Sequence, residues 1–143
     1  MAGSQPIEIF AQIGASNLTP RALAWSRTLT PLEFEARLVS ADLVVGHAGV
    51  GTILQARAAG KRLIIFPRRA ALGEHRNDHQ VAMTQGLSDI PGVRVANTRE
   101  QLEDLVRSPN FDPPARDSRS PEHSKLIDRL AALTAGRPKA LRR

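Results

Sequence analysis

The sequence predicts an α/β fold built on a parallel sheet, and three observations carry that reading. Apolar runs of strand length alternate with helical patterns, as in parallel βαβ units. Within the expected strand at residues 61–66, Leu63 to Phe66 are apolar on consecutive positions, as expected of a central parallel strand covered on both faces. The segments between runs open and close with capping residues and glycine, so helix ends are marked by local chemistry rather than by propensity alone.

Strands are expected at residues 7–13, 43–45, 61–66 and 93–96, with a weaker one at 23–25. Thr30, Pro31, Leu32 and Glu33 combine a capping box with proline at the first helical position, where its missing N–H costs nothing, and open a helix to about Ala41. Residues 50–59 form a second helix, closed by Gly60, which can adopt a left-handed cap. Capping spacing opens a third helix at residues 77–80, ending near Gly86, and a fourth at 98–101, running through Val106.

After Ser108 the pattern fails, because Pro109, Pro113, Pro114 and the Arg/Ser stretch 116–120 sustain neither helix nor strand. Beyond it, Leu126, Ile127, Leu130 and Leu133 fall on one face of an amphipathic helix at residues 121–135. The expected organisation is therefore a domain at 1–108, a linker at 109–120, and a C-terminal helix with a basic tail at 121–143.

With 143 residues and 41% hydrophobic content, the chain can bury one sizeable core. No apolar run approaches the roughly 20 residues that cross a bilayer, and the first six residues have no signal-peptide pattern, so a cytoplasmic location is expected. Without cysteine there are no disulfides and no thiolate metal sites. Of the net charge of +6, residues 107–143 hold +5, nine Lys or Arg against four Asp or Glu, and the body is nearly neutral. Such a tail suits an anionic membrane surface, an acidic partner or plain solvation. Nucleic acid is not an expected partner, because aromatic residues are only 3% and single-strand binding needs stacking platforms.

Two segments can carry chemistry. In residues 42–52 an apolar strand runs through Gly46, His47, Gly49 and Gly51 into a helix at Thr52, which places backbone N–H groups where they can meet an anion such as a diphosphate. Two readings are open for these glycines, close approach of a ligand or purely steric packing, and His47 reads either as a site residue or as a core-edge histidine bonded to backbone. In residues 66–80 a polar loop follows the central strand at the sheet edge where open α/β sheets bind ligands. Arg68, Arg69 and Arg76 suit phosphate, while Glu74, Asn77 and Gln80 suit ribose and sugar hydroxyls; Asn77 and Gln80 also fit a simple capping pair. His75 and His79, with Glu74 and Asp78, match no zinc spacing, so no metal is expected.

Together these segments, ADLVVGHAGVGTILQARAAGKRLIIFPRRAALGEHRNDHQ at residues 41–80, resemble the C-terminal domain of glycosyltransferase family 28. The paired motifs HAG-G-T and EH-NDHQ carry the likeness, which extends over residues 7–105. Within the family the pattern is similar to bacterial exopolysaccharide glycosyltransferase subunits and to the cytosolic subunit of the dolichol-linked N-acetylglucosaminyltransferase, and more distantly to the peptidoglycan lipid II enzyme. The resemblance implies a Rossmann-like half of a GT-B fold, with helices on both faces of the sheet. It also implies an inverting hexosyltransferase that takes a UDP-sugar to a polyprenyl-diphosphate-linked acceptor in exopolysaccharide synthesis. Gly46, Gly49, Gly51, Thr52 and Arg68 would meet the diphosphate, and Glu74, Asn77, His79 and Gln80 the sugar. Gln55 stands where relatives usually carry an acidic residue for ribose; an amide still donates and accepts. No cofactor is implied, the UDP-sugar being a substrate. The general base is left open between His47, His75 and a residue of a partner.

Relatives begin with a further strand and glycine turn ahead of residues 7–16, so the expected fold lacks the family's first strand, and a truncated, non-catalytic, partner-binding member is the alternative reading. One Rossmann-like domain is half of a GT-B cleft. The implied partner is a membrane-anchored acceptor-binding subunit, which would hold the chain at the inner face of the membrane.

Overall fold

A computed structural model describes residues 6–68, 84, 87 and 90–114. The chain divides into two compact units, residues 1–37 and 38–143. The elements, in chain order, are β1 (Phe10–Gln12), β2 (Ala24–Ser26), α1 (Pro31–Ser40), β3 (Leu43–Gly46), α2 (Val50–Ala58), β4 (Arg62–Ile65), β5 (Val93–Val95) and α3 (Arg99–Arg107). Among the described residues all strand pairing is parallel, β1 with β2 and β3–β4–β5 in that order, which is the α/β character expected.

In the first unit the ladder is short: Phe10 aligns with Ala24 and Gln12 with Ser26. A strand over residues 7–13 is thus trimmed at its start, because β2 offers only three residues to pair with, and Ile7 and Ile9 remain exposed. Gly14 turns the chain at φ 58°, a left-handed conformation that glycine adopts without steric cost. The Arg27 guanidinium donates to the Ser16 carbonyl at 3.0 Å and to that of Gly14 at 3.4 Å, and so holds the turn. On the Phe10 ring lies the Arg37 guanidinium, 3.9 Å from the centroid.

The capping box at Thr30 forms as its residues dictate. Thr30 N donates to Glu33 Oε2 at 2.8 Å, and Glu33 N donates to Thr30 Oγ1 at 3.3 Å, satisfying two of the N–H groups that a helix start leaves orphaned. These bonds, first the one from the Thr30 backbone and then the one from its hydroxyl, hold the Glu33 carboxyl below its ordinary pKa.

The second unit carries the main core. Leu63, Ile64 and Ile65 are fully buried on consecutive residues of β4, so both faces of the strand are covered. Ile64 packs with Ala96 and Phe111, and Leu102, Leu105 and Val106 of α3 lie against the same cluster. The α2 helix contacts β4 and buries Ile53 and Ala56. It ends in a Schellman motif: Lys61 N donates to the Ala56 carbonyl and Gly60 N to that of Arg57, each at 2.8 Å, with Gly60 at φ 67°. At α3, Thr98 Oγ1 accepts from Gln101 N at 3.2 Å, while the Gln101 amide oxygen reaches back one residue further, to Asn97 N at 2.7 Å.

Periodicity alone does not single out Arg57. Its side chain lies within the fold at 6% exposure, and Nη1 donates to the Pro91 carbonyl at 2.8 Å, which ties α2 to the turn ahead of β5. That turn uses Gly92 at φ 79° and accepts from Leu63 N at 2.8 Å. Residues 109–114 have no regular structure, as their prolines require, yet they are packed rather than loose: Phe111 is in the core and Pro114 is buried. The expected helices at 77–86 and 121–135 lie outside the described residues.

Candidate functional site

The C-terminal ends of β3 and β4 are held side by side, Gly46 aligned with Ile65 and Phe66 N donating to the Gly46 carbonyl at 2.8 Å. From this edge the chain leaves β3 through His47, Ala48 and Gly49 and enters α2 at Val50. Ala48 is buried and anchors the turn, and Gly49 N donates to the His47 carbonyl at 2.7 Å. Pro67 is buried and Arg68 is exposed where the chain leaves β4. Thus the turn at 46–52 and the start of the loop at 66–68 emerge at one sheet edge, as the sequence leads one to expect.

The three glycines of the turn answer to different demands. A Cβ on Gly46 would lie 3.1 Å from Cγ2 of Thr52, so the Thr52 methyl occupies the space that Gly46 leaves. A Cβ on Gly49 would lie 2.8 Å from Nε2 of His47, whose imidazole covers that position. Steric packing therefore accounts for Gly46 and, with His47, for Gly49. This shifts the reason for Gly49: the nearest group to meet a side chain there is the chain's own histidine. Gly51 is different, because nothing lies within 4 Å of a Cβ built on it. It is exposed on the first turn of α2, where glycine in place of alanine weakens a helix by about 1 kcal/mol.

Electrostatically, the N-terminus of α2 has no neutralising group of its own helix. Its N-cap is Gly49, which has no side chain to accept from the first N–H groups, and no acidic residue stands in the first turn. Among the described residues, then, no side chain offsets the positive end of the helix dipole, the end that favours an anion. Gln55 is exposed, four residues after Gly51 and three after Thr52, so all three share one face of α2. Glu74, His75, Asn77, His79 and Gln80, together with Arg69 and Arg76, lie outside the described residues.

Compared with known families, residues 2–132 match the model of the glycosyltransferase family 28 C-terminal domain. The matched stretch reaches past residue 105, to residue 132. No curated protein and no solved structure matches the chain. The match spans the turn at 46–52, Arg68 at the same sheet edge, and the parallel strands β3–β4–β5 that lead to both: the chain belongs to glycosyltransferase family 28, as a C-terminal domain of that family.

Proposed function

We propose that this glycosyltransferase domain binds a UDP-sugar at the turn 46–52 and the loop from Arg68 to Gln80, and transfers the hexose with inversion to a polyprenyl-diphosphate-linked acceptor in exopolysaccharide synthesis. The observation that supports the reading is that, among the described residues, nothing lies within 4 Å of a Cβ on Gly51 at a helix N-terminus with no side-chain cap. In the proposed step an acceptor hydroxyl attacks the anomeric carbon as the bond from that carbon to the β-phosphate oxygen breaks. The electron pair leaves with UDP, and a base takes the hydroxyl proton. Donors aimed at the departing diphosphate stabilise the charge that develops there, a strategy that makes electrostatics the main catalytic term. In this reading Thr52 and the first N–H groups of α2 do that work, and Gln55, one turn along on the same face, meets the ribose hydroxyls; their shared position at the start of α2 supports it. His47, which covers Gly49, is one candidate for the base; His75 and a residue of the partner are the others.

In this reading the chain acts with a membrane-anchored acceptor-binding subunit, which completes the cleft between two Rossmann-like halves and holds the chain peripherally at the inner face of the membrane. Among the described residues no helix is long and apolar enough to cross a membrane, and in this reading the partner supplies the anchor. The test is calorimetry with UDP at millimolar concentration, followed by a transfer assay with a UDP-sugar and a lipid-diphosphate acceptor, with and without the candidate subunit. UDP binding and transfer only on mixing are expected; no response to UDP, or efficient transfer by the isolated chain, would overturn the donor-site and partner parts respectively.

A further inference from the structure

We draw no further inference here: the strongest candidate, the exposed apolar patch of Trp25 on β2 and of Ile7 and Ile9 just ahead of β1, is unpartnered among the described residues, and nothing in the structure shows what covers it.

Discussion

Arg62 donates from Nε to the Phe111 carbonyl at 2.6 Å, joining the start of β4 to a residue 49 positions further along the chain. From β5 the Arg94 guanidinium lies 4.9 Å over the Phe111 ring. Two neighbouring strands thus grip one aromatic residue that arrives on a proline-rich stretch with no regular structure of its own. Phe111→Ala should lower stability by about 3–5 kcal/mol, the usual cost of removing a buried aromatic ring. Arg62→Ala should cost about 1.5–3 kcal/mol through the lost charge-assisted bond. Urea unfolding of each variant measures both; a Phe111→Ala midpoint equal to that of the parent would show that residues 109–114 are not part of the folded unit.

That grip alters how the partner dependence is best tested. A cut after Ser108 removes Phe111 from the core and confounds loss of the partner with loss of the fold. Ending the chain after Pro114 keeps the core residue. If the 121–135 segment docks the partner, the shorter chain should keep its UDP affinity while losing the partner-dependent transfer. Retention of full transfer on mixing would place the docking surface elsewhere.

Gly51→Ala separates ligand space from fold. Because alanine is the better helix former and its Cβ meets nothing within 4 Å, stability should rise by up to about 1 kcal/mol. UDP affinity should fall by roughly tenfold, the loss expected if a contact worth about 1.4 kcal/mol is blocked. Gly49→Ala, which meets the His47 ring, should reduce both quantities together. Thermal unfolding and calorimetry on the two variants decide it, and unchanged UDP affinity in Gly51→Ala counts against the donor site.

Two left-handed glycines should respond unequally to alanine. Gly14 at φ 58° has nothing near a built Cβ, so Gly14→Ala bears only the backbone cost of about 1–2 kcal/mol. Gly92 at φ 79° bears the same strain, and its Cβ would also press on the ring of Pro114. Gly92→Ala should therefore be clearly the more damaging in a denaturation series; equal losses would mean that Pro114 yields freely.

The capping box gives a signed dependence on pH. Glu33 is held below its ordinary carboxyl pKa by the Thr30 backbone N–H and then the Thr30 hydroxyl, so its folded value is depressed relative to the unfolded one. The stabilisation is present above the ordinary value of 4.5 and is lost as pH falls through the lowered folded value. Glu33→Gln should flatten that part of the acid limb of the stability curve while leaving the neutral limb parallel to the parent's. An unchanged acid limb would show that the carboxylate contributes nothing to the cap.

What the sequence determined by itself was local. Among the described residues, the order of strands and helices follows the residue pattern, and the capping of α1 at Thr30 and of α3 at Thr98 and the closure of α2 at Gly60 appear where residue chemistry puts them, because each cap depends on groups within about five positions of one another. The motif pairing that identified the family is likewise contiguous text. Tertiary structure decided what depends on contacts between distant residues. It buried Phe111 in a stretch that composition marks as a linker, since the Ile64 cluster and two arginines offer it more than solvent does. It drew Arg57 inside to meet the Pro91 carbonyl, which no periodicity announces. It also divided three similar glycines: Gly46 makes room for Thr52, Gly49 lies beneath His47, and Gly51 faces open space, a distinction set by what the fold brings near each Cα and not by the residues beside it in the chain.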